Sequence, residues 1–576
     1  MKVAILFSLA SSVCVLGDPQ YVKLEASVLR GATYKESQKG AKPFMLEKRA
    51  DDGSVTMELQ NAQSFYQVEI EIGSDKQKVG VLIDTGSSDL WVTNSNNTYC
   101  SSSSSKKMKR DGSRNVLRKG RDLSDLYNFN SPNEDNNAKA LLSGWGDLTT
   151  AETVTQDETQ TALAAQATVD CSQYGTFDPS TSDSFHNNGT KFEISYADST
   201  FARGTWGYDD VTFSGVTVND LSLAVADETD SATGVFGIGF RELETTYSGG
   251  GPEHYIYDNL PYKLVDQGLI GRASYSIYMN SSDSSTASIL FGAVDQSKYT
   301  GDLGLLPIIN TVASYGYEKP IKLQITLSAI TLTNSKGQQV SIGSGAAAAL
   351  LDTGTTLTYA PNEVVEKLAE TLDFVYSSSV GAYVARCDDV ESYAVNFDFQ
   401  GKVIEAPLSS FLIALQTNSG VVSSYCALGI FSSGDETITL GDSFMRNAYI
   451  VADLEGYQIA IGNVNLNPGD EQIEIISGDS IPSASSVSDY SNTWGASATA
   501  LDTDRTTTLG SVTAVSDEKV TSTKKVSNVE TSTSSGSGSV SESSGSSSNS
   551  NNSPRTVGFS LCAVLCALVI SILAVC

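Results

Sequence analysis

One short pattern occurs twice in the chain, as VLIDTGSS at residues 81–88 and as ALLDTGTT at 349–356. In each copy an apolar run ends in Asp-Thr-Gly and a hydroxyl residue, which reads as a buried strand delivering one carboxylate into a tight loop. A single copy is a weak signal, because an ordinary turn uses the same residues. Two copies, each behind an apolar run, constrain the chain to two lobes that present Asp84 and Asp352 to a shared site.

Like charges at close range cannot both ionise, so such a pair holds one proton over a wide acidic range. One carboxylate then acts as base on a water that attacks a peptide carbonyl, and the protonated partner polarises the carbonyl oxygen. Gly86 and Gly354 let backbone amides approach the carboxylates, and the hydroxyls of Ser87 and Thr355 are suited to orient them. Other hydrolytic routes lack parts. The chain has two histidines, His186 and His254, neither in a metal-ligand spacing nor beside a nucleophile, so both read as surface residues. No metal and no cofactor is expected.

These residues resemble the pepsin family of aspartic proteases, and within it the fungal yapsins, over about residues 65–462. The resemblance implies an all-β, bilobal pepsin-like fold with the cleft between two β-rich lobes. It implies that Asp84 and Asp352 are catalytic, and that Thr85, Gly86, Ser87, Thr353, Gly354 and Thr355 orient the pair, Thr85 and Thr353 by cross-linking the two loops and Ser87 and Thr355 through their hydroxyls. Trp91 matches the tryptophan that hydrogen-bonds a flap tyrosine, and Tyr196, in FEISYADSTFARG, matches that tyrosine. The stretches TGVFGIGF (233–240) and TLGDSF (439–444) resemble the segments that pack under each loop. The flap departs from the family: Ala197 and Ser199 stand where glycines are usual, which narrows the backbone conformations at its tip.

With 67 acidic against 37 basic residues and a formal charge of −30, a negative cleft draws in cationic peptides. Asp198, two residues after the flap tyrosine, is placed to meet a Lys or Arg of the substrate. Yapsin-like enzymes favour basic cleavage sites, so the expected partners are protein or peptide substrates with basic residues. Nucleic acid is not expected as a partner.

Residues 1–17 read as a secretory signal peptide, with one lysine and then an apolar core. Residues 18–49 read as a propeptide ending at the dibasic site Lys48-Arg49. That segment is basic where the enzyme is acidic, so it is expected to lie across the cleft through ion pairs that weaken as carboxylates are protonated. Residues 50–463 form the bilobal peptidase domain, 464–553 a Ser/Thr-rich stalk, and 554–576 an apolar tail. No basic segment follows the tail, which reads as a GPI-anchor signal removed on maturation, with attachment within 545–552. The competing reading is a transmembrane span. The expected location is the cell surface, GPI-anchored in the plasma membrane, with possible linkage to wall glucan.

Of eight cysteines, four stay in the mature chain: Cys100, Cys171, Cys387 and Cys426, for which three pairings exist. Local order and the family resemblance favour Cys100 with Cys171 and Cys387 with Cys426. The first closes a loop of about 70 residues, worth about 4 kcal/mol in the chain-entropy picture. Residues 101–170 read as an exposed, disordered insertion with basic sites at Lys106-Lys107, Lys109-Arg110 and Arg118-Lys119. Cutting there gives two disulfide-linked chains; otherwise the enzyme is a monomer. Asn96, Asn188, Asn280 and Asn551 sit in N-glycosylation acceptors.

Short β-branched and aromatic runs between turn residues point to antiparallel β structure, and residues 361–372 to a short helix. The expected function is cleavage at or near Lys/Arg in proprotein processing, shedding and wall maintenance. The alternatives are a broad-specificity secreted aspartic protease and a catalytically silent, GPI-anchored wall glycoprotein.

Overall fold

The computed structural model describes residues 21–30, 45–48, 55–58, 64–100, 169–196, 200–248, 254–281, 284, 286–378, 380–416, 422–494 and 500–504. All lie in one compact unit, Met1–Thr508; the second unit, Leu509–Cys576, contains no described residue. The signal peptide, Arg49, the flap-tip residues Ala197, Asp198 and Ser199, most of the insertion, Asn551 and the apolar tail fall outside the described residues.

Strands dominate, as the alternating runs predict. A fourteen-stranded sheet passes from Tyr299–Pro307 through Gln458–Val464, Ala448–Asp453, Ser274–Tyr278, Thr286–Phe291, Val22–Arg30 and Ser64–Ile72 to Gln77–Asp84 and the first lobe. An eight-stranded sheet forms the second lobe around the antiparallel pair Gln324–Thr333 and Gln339–Leu351. The two lobes repeat one device. Gly234–Gly237 runs parallel to Gln77–Asp84, and Ile438–Leu440 runs parallel to Gln339–Leu351. Both strands so flanked are buried and end at the Asp-Thr-Gly loops, which is why they read as apolar runs without alternation. The helix Asn362–Thr371 starts after Pro361 as expected, and buries Val364, Val365, Leu368 and Ala369.

Both disulfides join the cysteines that local order favours: Cys100 to Cys171 with Cα atoms 5.3 Å apart, and Cys387 to Cys426 at 5.2 Å. Val169 is buried and bridges to Cys100, so the insertion is narrower than residues 101–170.

Two segments pack differently from expectation. Residues 22–30, expected across the cleft, instead form an interior strand paired to Thr286–Phe291 and Ser64–Ile72. Val22, Leu24 and Ala26 alternate with Lys23, Glu25 and Ser27, so one face enters the core while Lys23 reaches Glu471 at 2.5 Å. At the other end, the domain does not stop at 463. Ile473–Ile475 pairs with Ala293–Asp295, Ala484–Ser486 runs parallel to Leu303–Leu305, and Leu501–Asp502 pairs with Ser344–Gly345. Ile476, Ile481 and Leu501 are buried, so isolated apolar residues tie a Ser-rich segment to both sheets.

Candidate active site

Asp84 closes the strand Gln77–Asp84, and Asp352 follows directly on Gln339–Leu351. Both are nearly buried, at 4% and 8% exposure. Their surroundings are related by an approximate two-fold. Gly86 N–H donates to Asp84 Oδ1 at 2.8 Å and Gly354 N–H to Asp352 Oδ1 at 2.9 Å. The Ser87 hydroxyl donates to Asp84 Oδ2, and the Thr355 hydroxyl to Asp352 Oδ2 at 2.7 Å.

Beneath the carboxyls, the loops are laced together. Thr85 N–H donates to Thr353 Oγ1 and Thr353 N–H to Thr85 Oγ1, each at 3.0 Å. The two hydroxyls donate onward to Leu351 O and Ile83 O, each at 2.9 Å. Every donor and acceptor of the crossing is paired, which fixes the separation of the loops in a dry interior. A Cβ on Gly86 would stand 2.7 Å from Asp352 Oδ1, and one on Gly354 2.5 Å from Asp84 Oδ1. Each glycine therefore lies against the opposite carboxyl. Burial first, and the charge of Asp352 second, push the Asp84 carboxyl well above the ordinary carboxylate range.

Flanking segments brace both loops as expected from their sequences. Ile238 N–H donates to Asp84 O and Gly239 N–H to Ser87 O, while Asp352 N–H donates to Leu440 O and Asp442 N–H to Thr355 O.

The flap is the hairpin of His186–Ser195 with Phe201–Phe213. At its end Trp91 Nε1 donates to Tyr196 Oη at 2.7 Å, the bond expected of these two residues. Trp91 is fully buried and is linked by tilted and edge-to-face ring contacts through Phe192 and Trp206 to Tyr257. The Tyr257 hydroxyl donates to Asp89 Oδ1 at 2.7 Å, Thr245 N–H donates to Asp89 Oδ2 at 3.0 Å, and Tyr257 N–H donates to Glu244 Oε2 at 2.9 Å. Burial raises Asp89, and raises the Glu244 carboxyl to about 10. Sequence reasoning missed this buried cluster. Its one visible trace is an acid, Asp89, directly after the first loop.

Among the other expected sites, Asn96 and Asn188 are exposed and Asn280 is half-buried. Lys48 ends the strand Met45–Lys48, which pairs with Val55–Glu58. His186 and His254 are exposed, His186 stacking on Tyr208.

Residues 65–464 match the family described as eukaryotic aspartyl protease. Among known proteins, the chain is 42% identical to Aspartic proteinase 3 of Saccharomyces cerevisiae over 492 residues, 84% of each chain. It is 34% identical to Aspartic proteinase yapsin-3 of the same yeast, over 83% of this chain and 80% of the relative. It is 36% identical to Secreted aspartic protease 9 of Candida albicans, over 75% of this chain and 83% of that one.

Proposed function

This chain belongs to the eukaryotic aspartyl protease family and is an aspartic endopeptidase of the yapsin type, and from that premise we propose that Asp84 and Asp352 perform its hydrolysis. One observation carries the assignment: the reciprocal threonine bonds that set the two carboxyls against each other's glycine. With one proton shared, the ionised carboxylate removes a proton from water as the oxygen attacks the peptide carbon. The protonated partner hydrogen-bonds the carbonyl oxygen as it gains charge. Collapse of the tetrahedral species breaks the C–N bond, and the proton taken from water passes to the departing amine. Side chains that need no reorganisation at that moment give the rate its largest electrostatic share. Trp91 holds Tyr196 next to the tip of the flap, positioned to close over the bound peptide.

The substrates are proteins and propeptides cut at or near Lys and Arg. The formal charge of −30 supports this by concentrating cationic segments at the cleft. The signal-like first residues and the exposed Asn96 and Asn188 acceptors support passage through the secretory pathway. The apolar composition of 554–576 after a Ser/Thr/Asn-rich stretch supports a GPI anchor at the cell surface, with processing, shedding and wall maintenance as the biological role.

A cleavage-site profile on a mixed peptide library at acidic pH tests this, with Asp84→Asn as the blank. Cuts clustered at Lys and Arg and absent from the blank are expected. Cuts between large apolar residues would replace processing with general digestion, and a blank that still cuts would remove Asp84 from the mechanism.

A further inference from the structure

We propose that Lys322 is a specificity residue of the cleft, reading an acidic side chain of the substrate on the side of the scissile bond floored by Asp352. The proposal rests on the assignment of Asp84 and Asp352 as the reacting pair.

Strand register sets its place. Gln324 pairs with Leu350, and one step further Leu351 N–H donates to Leu323 O at 3.0 Å. Lys322 and Asp352 are the next residues on the two segments past that bond. Gln324 N–H donates back to Lys322 O at 2.8 Å, closing a tight turn about Leu323 that holds the lysine backbone at this point. Asp435 stands in the turn between Ile430–Ser432 and Ile438–Leu440, the latter supplying the carbonyl that receives Asp352 N–H. Asp435 is the charge whose field reaches Lys322.

A lysine at a surface normally carries its ammonium into water or onto a carboxylate. Lys322 is half-buried between the fully enclosed Ile321 and Leu323, and it makes no ion pair or side-chain hydrogen bond among the described residues. Burial pulls its pKa down, and the field of Asp435 only partly offsets this. Asp435 is turned to its own loop instead, its Oδ1 accepting from both the amide and the hydroxyl of Thr437. In a chain of formal charge −30, this leaves a poorly hydrated cation on the segment that runs beside the second loop. A substrate carboxylate arriving there replaces the water Lys322 has lost, in surroundings where a charge-assisted hydrogen bond is strong. The acidic cleft selects basic residues elsewhere in the peptide, so the preferred substrate carries opposite charges on the two sides of its cut.

The test uses the full secreted protein and a peptide known to be cut, remade with Glu or Gln at each of the three positions on either side of the bond. At about pH 5.5 a Glu side chain is ionised, its ordinary pKa being about 4.3. At one position on one side, the wild type is expected to favour Glu over Gln by about tenfold in kcat/KM. Lys322→Met should bring that ratio to about one, Lys322→Glu should shift it below one, and Lys322→Arg should restore most of it. The same ratio in wild type and Lys322→Met overturns the proposal while leaving the carboxyl pair intact. An Asp84→Asn control that cleaves overturns the pair, and this proposal with it.

Discussion

At the residue scale, the tightest constraint on the site is the absence of a side chain at Gly86 and Gly354. A methyl on Gly354 would stand 2.5 Å from Asp84 Oδ1, closer than any ordinary carbon–oxygen contact. The carboxyl, hydrogen-bonded to Gly86 and Ser87, has no free direction in which to retreat. Gly354→Ala should therefore lower kcat by roughly 100-fold, the size expected for a misplacement of about 1 Å in a reacting group. Circular dichroism should show the fold retained, and near-normal turnover would mean the two loops are not held as described. A second residue-scale effect comes from Glu244, buried beside Asp89, Glu242 and Arg241 with its carboxyl raised to about 10. The folded state keeps this proton where the unfolded chain has lost it, so the stabilisation is complete below the ordinary value of 4.5 and is lost as pH rises towards about 10. Each pH unit in that window costs up to ~1.4 kcal/mol. Glu244→Gln keeps an acceptor for Tyr257 N–H and removes the titration. Its melting temperature relative to wild type should be higher at pH 8 than at pH 4, and an equal difference at both would show that Glu244 does not titrate in this window.

At the scale of elements, the segment after residue 463 is part of the enzyme. It adds a strand beside Ala293–Asp295, another beside Leu303–Leu305, and a last bridge to Ser344–Gly345 on the strand that leads to Asp352. Ile476, fully buried, anchors it, and Thr326 N–H donates to Tyr490 Oη at 3.0 Å farther along. Ile476→Ala should cost about 2–5 kcal/mol by opening a cavity, read as a lowered midpoint in denaturant, whereas a solvated stalk would give no change. This segment was illegible in the sequence because its few apolar anchors are dispersed among Ser, Thr and Asp, with no period to betray a strand. The two loops and the helix Asn362–Thr371 were legible for the opposite reason. Their signals are local: an apolar run closed by Asp-Thr-Gly, and Pro361 ahead of an amphipathic stretch. The cluster of Asp89, Glu244 and Tyr257 escaped because its bonds join residues as much as 168 positions apart. Strand 22–30 does alternate in sequence, but its basic setting pointed to a charged segment over the cleft. Three apolar side chains on one face proved enough to seat it inside a sheet.

At the scale of the whole molecule, the Cys100–Cys171 bond isolates a long insertion from the fold that carries it. The cysteine Cα atoms are 5.3 Å apart, and Val169 N–H donates to Tyr99 O at 3.2 Å, so the chain leaves and re-enters at nearly one point. Beyond that point Asn97 Nδ2 donates to Thr229 O at 3.0 Å, and Phe177 N–H donates to Thr93 O at 2.9 Å, tying both sides of the exit to the first lobe. None of these bonds depends on chain continuity through the basic sites at 106–107, 109–110 and 118–119. A cut there should leave these bonds and the carboxyl pair as they were. The covalent Cys100–Cys171 bond keeps the two products together, while opening the closed loop removes a restraint on the unfolded chain of about 4 kcal/mol. Cleavage should therefore lower the melting temperature by a few degrees at most, while turnover on a fixed peptide stays within about twofold. The measurement is a pair of gels: one band without reductant, two with it, from enzyme of undiminished activity. Two bands without reductant would mean that the insertion, and not the disulfide, holds that edge of the first lobe closed.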